Sequence, residues 1–160
     1  MGKGAARIEE TTHAITLRGA ILGWAIMNAI KKVENRAFHM KGYYFLHVGR
    51  GKMSKVDLDR IYDILERGGA KRARDEELPR GVILGVVHVQ RHYRYGDTES
   101  DDPWATGPVC NVIDAVYPFD SPVPAAGALS VWSLAAKDKA VWKSAQLKLK
   151  DVAKAAKALR

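Results

Sequence analysis

Three charged residues at short spacing are the first candidates for chemistry in this sequence. Lys31, Glu34 and Arg36 put two cations and one carboxylate within a short stretch of chain. If a strand begins just after Lys31, its side chains alternate between two faces, so Glu34 and Arg36 share one face and Lys31 can lean over the same edge from a preceding helix. Such a group can hold phosphate through its cations, and its carboxylate can accept a hydrogen bond or a proton. A surface ion pair beside a helix C-terminus is the alternative.

A second basic stretch lies at residues 49–52, which read Gly-Arg-Gly-Lys. The two glycines let a backbone approach a ligand closely, and Arg50 and Lys52 could then hold a phosphate. The stretch lacks the other residues of a P-loop, so a simple turn before a helix explains it equally well. Trp24 and Tyr44 are candidates for stacking on a base, although Trp24 also suits packing at the rim of a core.

Hydrophobic periodicity predicts the elements that must position these residues. Alternating or continuous apolar runs predict strands, and apolar residues at helical spacing predict helices. Gly85, inside the longest apolar run, predicts a bulge or a close backbone approach. The predicted strands are 13–17, 43–48, 81–95, 109–119 and 128–134, with a turn at 122–124, and the predicted helices are 21–30 and 54–67.

The last part of the chain has a different composition. Apolar residues recur there at spacings of three and four, which predicts an amphipathic helix. Eight cations against two aspartates leave +6, so most of the net charge of +8 lies in this tail. The helix suits docking on its own domain with the lysines outward, contact with nucleic acid or, less well because its stripe is rich in alanine, an anionic membrane surface. The predicted organisation is a flexible arm at 1–12, one domain at 13–134 and a basic C-terminal helix at 135–160.

Composition also bounds the partners and the compartment. A net charge of +8 in 160 residues favours a polyanionic partner, most simply nucleic acid. The apolar runs fall short of the ~20 residues of a membrane span, and the N-terminus has no apolar signal-peptide core. The single cysteine, Cys110, fits a reducing compartment, so a cytoplasmic or nuclear location is expected. The closest histidines, His88 and His92, would lie roughly 13 Å apart on a strand, so no metal and no cofactor is predicted.

Ordered blocks along the chain carry a family resemblance. The blocks are residues 15–18, 29–36, 42–48, 81–87 and 112–116, then 122–124 with Gly127 and Trp132. Together, over about residues 13–134, they resemble the ASCH domain, a member of the PUA-like β-barrels. The family signature is Gly-x-Lys-x-x-Glu-x-Arg; Lys31, Glu34 and Arg36 match it, and Ala29 takes the place of its glycine. The Gln-Pro-Trp of many members is replaced here by Gly-Ala-Ile at 19–21.

The resemblance implies an α+β fold, a PUA-like β-barrel with flanking helices, to which the periodicity of the tail adds a C-terminal basic amphipathic helix. It also places the charged motif at or near a cleft beside the barrel. With the basic charge, it favours a nucleic-acid-binding module, with RNA preferred. Glu34 would accept a hydrogen bond from a base or a ribose. The residues expected to hold phosphates are Lys31, Arg36, Arg50 and Lys52.

Two other functions remain open. Some family members resemble small amidohydrolases that act on acylated cytidine, and another is similar to a ribonuclease. In the amidohydrolases the motif lysine activates a threonine at the place where this chain has Glu34, so Lys31 is retained and the nucleophile is missing. Glu34 could instead act as a general base for water. The third function is a protein-interaction adaptor with a protein partner, because a related domain lies within a transcription coactivator.

Overall fold

The computed structural model describes residues 7–70, 73–97 and 101–158. Within them, one six-stranded sheet is combined with four α-helices, which confirms the predicted mixed α+β class. The strands are β1 His13–Leu17, β2 Val33–Arg36, β3 Gly42–Val48, β4 Val82–Arg94, β5 Val109–Pro124 and β6 Val131–Ser133. The helices are α1 Ala20–Met27, α2 Lys55–Arg67, α3 Leu134–Lys137 and α4 Lys139–Ala158, with short 3-10 turns at Ile8–Glu10 and Asp75–Glu77.

The sheet has the strand order β2-β5-β4-β3-β1-β6, with β2 and β6 at its edges. Neighbouring strands are antiparallel except β1 and β3, which are parallel. In a flat sheet the four strand spacings from β2 to β1 would amount to roughly 19 Å. Yet Nη2 of Arg36 on β2 lies 2.8 Å from the main-chain oxygen of Thr16 on β1. The sheet is therefore curled so strongly that its β2 edge returns to β1.

The far end of β5 differs from the prediction. The prolines predict a turn at 122–124, and this is wrong, because these residues belong to β5 and its last two pair with β4. β2 pairs only with residues 109–112 of β5, and no other described strand covers that edge farther on, so prolines there cost no ladder hydrogen bond. The pairing shifts at Gly85, where a Cβ would lie 2.3 Å from the main-chain oxygen of Tyr117, so the predicted close approach is confirmed.

The last strand is shorter than the predicted 128–134. Ser130 has a positive φ of 62°, which interrupts extended structure before Val131. Leu134 already begins α3, whose first turn is capped by the Ser133 hydroxyl accepting the Ala136 N–H. Residues 125–130 consequently form a loop between β5 and β6, and this loop borders the candidate site.

Helix α4 is an integral part of the fold. Ala145 and Leu149 are fully buried in one cluster with Phe45 of the sheet. The indole N–H of Trp142 donates to the main-chain oxygen of Thr11 at 3.0 Å. Among the described residues, this confirms docking of the helix on its own domain, because its apolar stripe fills the space between the sheet and the N-terminal segment.

The predicted N-terminal arm is described only from residue 7. There Ile8 is buried and belongs to the same apolar cluster as α4, and the Thr11 hydroxyl donates to the Ile8 oxygen at 2.6 Å. The described end of the predicted arm is thus packed on the domain through Ile8 and Thr11, while residues 1–6 lie outside the described residues.

The outer face of α4 carries a row of lysines. Lys148 is tied to Asp120 at 2.8 Å, whereas four others are exposed. Their helical positions lie within about 60° of one another at 100° per residue. These four are Lys139, Lys143, Lys150 and Lys154.

Among the helices of residues 7–70, 73–97 and 101–158, none has the length and hydropathy of a transmembrane span.

Candidate functional site

The three residues of the charged motif meet in one ion triad. Nζ of Lys31 donates to Oε1 of Glu34 at 2.9 Å, and Nε of Arg36 donates to Oε2 of the same carboxylate at 2.8 Å. Lys31 also donates to the main-chain oxygen of Val33. The side chains of Lys31 and Glu34 are 4% and 8% exposed, against 18% for Arg36. The motif is therefore a largely buried triad and not a surface ion pair.

The end of α1 places Lys31 over β2. The N–H of Ile30 donates to the Ala25 oxygen and the N–H of Ala29 to the Ile26 oxygen, both at 2.9 Å, which are the two bonds of a Schellman motif. Ala29 takes the left-handed position of this motif, with φ 56°. Glycine is usual there because a Cβ is strained in that conformation. The helix therefore ends earlier than predicted, and the chain turns at once into β2.

Asn35, between Glu34 and Arg36 on β2, binds the loop at residues 104–107. Its side-chain N–H donates to the main-chain oxygen of Trp104 at 2.8 Å. Its side-chain oxygen accepts the N–H groups of Thr106 and Gly107, each at 2.8 Å. These bonds fix the loop that presents Trp104. Strand alternation predicts only that Asn35 points away from Glu34; its positioning role depends on residues about 70 positions later in the chain.

A cleft of about 530 Å³ opens beside the ion triad. That volume falls within the roughly 300–1,000 Å³ of ordinary small-molecule sites. Its mouth carries two exposed arginines that are not among the predicted site residues: Arg18 directly after β1, and Arg60 on α2. The cleft is lined by Thr16, Leu17, Arg18, Leu22, Lys31, Glu34, Asn35, Arg36, Gly49, Gly51, Arg60, Trp104, Ala128, Leu129 and Ser130.

The triad can still bind a ligand despite its internal bonds. Each oxygen of Glu34 receives one bond from a cation, and a carboxylate oxygen has a further lone pair for a ligand donor. Arg36 uses Nε and Nη2, and among the described residues nothing is bonded to its Nη1. The cleft therefore presents a fixed acceptor beside a fixed donor, with exposed cations at its mouth.

A second cavity of about 380 Å³, the side cavity, adjoins the cleft. Arg50 lines it, lying so close over Gly81 that a Cβ there would be 2.7 Å from its Nε. Lys52 is exposed in the turn that follows and lines neither cavity. The two cavities share a border made of Thr16, Gly49, Ala128 and Leu129.

The two predicted stacking residues lie elsewhere. Trp24 is half-buried, packs among the apolar residues between α1 and α2, and lines a small groove with Pro79 and Pro118. Tyr44 lines a shallow pocket beside the N-terminal segment, where its hydroxyl accepts the Lys41 N–H at 3.2 Å. Neither residue lines the cleft or the side cavity, so the structure does not bring these aromatics together with the triad.

A buried histidine supports the border between the cavities. Nε2 of His47 donates to the Ala125 oxygen at 2.8 Å, because a carbonyl can only accept. In the neutral ring Nδ1 then accepts the Thr16 hydroxyl at 3.1 Å, and that hydroxyl oxygen accepts the indole N–H of Trp132 at 3.0 Å. Burial lowers the pKa of His47, opposed by its bond to Ala125, and the charge of Lys137 lowers it further. A neutral His47 is thus part of the scaffold.

Within the described ranges, no three His, Cys, Asp or Glu side chains lie close enough together to hold a metal ion.

The chain matches no model of a known protein family and no curated protein.

Proposed function

We propose that this chain is a nucleic-acid-binding module, with RNA preferred, and that it binds through the cleft beside the ion triad. One observation carries the proposal: a single cavity combines a carboxylate acceptor with cations from four separate elements. These cations are Arg18 after β1, Lys31 after α1, Arg36 on β2 and Arg60 on α2. Convergence of cations on one concave site, in a chain of net charge +8, is the electrostatic pattern of a phosphate-bearing ligand.

Each group has a distinct role in this proposal. The exposed Arg18 and Arg60 contact phosphates at the mouth, where flexible side chains can follow the backbone of a strand. Glu34 accepts a hydrogen bond from a base amino group or a ribose 2′-hydroxyl, which is the group that separates RNA from DNA. Arg50 and Lys52 extend the positive surface beyond the cleft, and the lysines of α4 add a sequence-independent attraction.

The fold lends further support. The resemblance to ASCH domains implies a PUA-like barrel, and the curled sheet, whose β2 edge is bonded to β1 through Arg36, is compatible with such a barrel. The proposal includes that fold assignment. It also includes a cytoplasmic or nuclear location, in keeping with Cys110 as the one cysteine of the chain and a buried free thiol.

Binding is favoured over hydrolysis by the bonding of the triad. As a general base, Glu34 would have to take up a proton on a remaining lone pair while both of its oxygens keep their bonds from cations. Lys31 is likewise engaged with Glu34 and with a main-chain oxygen. A hydrolase of modified cytidine or of RNA would therefore need full proton transfer to a carboxylate that is bonded to two cations, whereas binding needs only a hydrogen bond to it. Product formation that is lost in Glu34→Gln, an isosteric change, would favour the hydrolase.

The proposal is tested by equilibrium binding of one single-stranded RNA and a DNA of the same sequence over a salt series. We expect log K to fall linearly with log salt, with a slope of about −0.7 for each phosphate neutralised. RNA should bind more tightly than DNA at every salt concentration. Affinity that does not change with salt, or no binding at low salt, would overturn the proposal.

A further inference from the structure

An exposed leucine, Leu129, lies on the border between the cleft and the side cavity. Leu129 lines both cavities and is 90% exposed, the highest value among the large apolar side chains of the described residues. An isolated exposed leucine is ordinary on a protein surface. One that lies on the border shared by two cavities is different, because a ligand that occupies both would lie against that border.

The loop that carries Leu129, residues 125–130, is anchored to the sheet and to α3 through its first three residues. The N–H of Ala125 donates to the Gly81 oxygen at 3.0 Å, and its oxygen accepts from His47. Nζ of Lys137 donates to the Gly127 oxygen at 2.6 Å. Gly127 lies so close to His47 that a Cβ there would be 2.4 Å from the imidazole. The anchored part of the loop thus ends two residues before Leu129 and fixes where the loop crosses the border between the cavities.

Positively charged side chains line both of the cavities that Leu129 borders. Arg18 and Arg36 line the cleft, and Arg50 lines the side cavity. An apolar point between two basic cavities matches the alternation of a single nucleic-acid strand, in which apolar base faces are joined by phosphates. A protein segment that fits the same surface would need acidic residues on both sides of an apolar one, which is a narrower requirement.

We propose that Leu129 is a wedge between two consecutive nucleotides of a single strand, one entering the cleft and the other the side cavity. The inference rests on the proposed function and adds a minimum ligand, a dinucleotide unit whose bases are unstacked from each other. Apolar side chains inserted between bases are an established way of unstacking them. Covering Leu129 removes its apolar surface from water, which compensates for the lost base–base stacking.

The test compares Leu129→Ala with Leu147→Ala, a matched change at an exposed leucine of α4 that lines neither cavity. The probes are adenosine monophosphate and an oligoadenylate hexanucleotide with 2-aminopurine at a central position. The fluorescence of 2-aminopurine rises when it unstacks from the neighbouring bases. For Leu129→Ala we expect hexanucleotide affinity to fall by about tenfold and the fluorescence rise to be lost. Monophosphate affinity should not change, and Leu147→Ala should behave as the unaltered protein.

The outcomes separate the two proposals. If the protein binds the hexanucleotide and Leu129→Ala matches Leu147→Ala in affinity and fluorescence, the wedge is overturned while the RNA-binding cleft stands, and Leu129 becomes available to a protein partner. An equal loss of monophosphate and hexanucleotide affinity in Leu129→Ala also overturns it. If the unaltered protein binds no hexanucleotide at low salt, both proposals fail. Because the side chains of Leu129 and Leu147 are both exposed, neither change should alter the fold, and melting curves that match the unaltered protein check this.

Discussion

The guanidinium of Arg36 donates a hydrogen bond to the main-chain oxygen of Thr16, and so joins edge strand β2 to a strand four places away in the sheet. The same guanidinium holds one oxygen of Glu34. One side chain therefore links two strands of the open, curled sheet and fixes the acceptor of the proposed site. The consequence is that this residue is a poor probe of binding, since changing it alters the scaffold as well.

Replacing Ala29 by glycine is expected to stabilise the protein by about 0.5–1 kcal/mol, because Ala29 is in the left-handed conformation that a Cβ disfavours. Urea unfolding followed by circular dichroism measures the change. Ala140→Gly, at a helical position in α4, should have the opposite sign. An unfolding midpoint that falls in Ala29→Gly would contradict the strain assigned to this position.

Lys31→Met should destabilise the fold by about 3 kcal/mol, because it leaves the buried Glu34 with one cation fewer. The double change Lys31→Met with Glu34→Gln should recover part of that loss. The exposed pair of Arg67 and Asp63 is the control, and Arg67→Met should cost less than about 1 kcal/mol. Equal losses of unfolding free energy from the buried and the exposed pair, in the same unfolding assay, would contradict the larger cost expected for an unpaired buried Glu34.

The ion triad illustrates what local spacing in the sequence reveals. Lys31, Glu34 and Arg36 are close in the chain, and strand alternation beside a helix end is enough to bring them together. Arg18 and Arg60 reach the same cleft only because α2 packs against α1, the helix that follows β1. No local spacing marks such a relation, since it depends on the tertiary fold.

The failures have equally specific causes. Pro122 and Pro124 predict a turn, but a strand tolerates them where no neighbour needs their missing N–H groups. Trp24 lies near the triad in sequence, yet the helix directs it into the packing between α1 and α2. The early end of α1 at Ala29 differs from the prediction because the apolar spacing continues to residue 30, and an alanine does not mark the left-handed position as the glycine of the family signature would.

Stability should fall as the pH drops below about 6.5, through the protonation of His47. Its pKa is lowered in the folded protein, so the unfolded chain binds the proton more readily and the stabilising effect is complete only above the unfolded pKa of about 6.5. The slope of unfolding free energy against pH between about 7 and 5 should be shallower in His47→Gln. His13→Gln, at an exposed histidine, should retain the slope.

An unchanged slope in His47→Gln would contradict this assignment. Asp120 does not interfere in that range. The hydrogen bond from Lys148 holds the pKa of its carboxyl below the ordinary value for aspartate, so any contribution it makes is lost only at more acidic pH.

The exposed lysines of α4 should contribute attraction without selectivity. Changing all four (139, 143, 150 and 154) to glutamine should reduce the salt slope of RNA binding by about 0.7 for each phosphate that is no longer neutralised, while the preference for RNA over DNA remains. The fourfold change to arginine keeps the charge and is the control. Deleting the helix is a poorer test, since it would expose the cluster around Leu149. Complete absence of binding in the glutamine variant would mean that the cleft contributes nothing.

The most direct test of the cleft is the pair Arg18→Ala with Arg60→Ala, set against Arg67→Ala on the same helix as Arg60. All three side chains are exposed, so each variant should fold normally. Single-stranded RNA binding is measured over a salt series. The double variant should lose about tenfold in affinity, and its salt slope should shrink by about 1.4, whereas Arg67→Ala should bind as the unaltered protein does. If the double variant and Arg67→Ala bind RNA equally well, the cleft is not the nucleic-acid site.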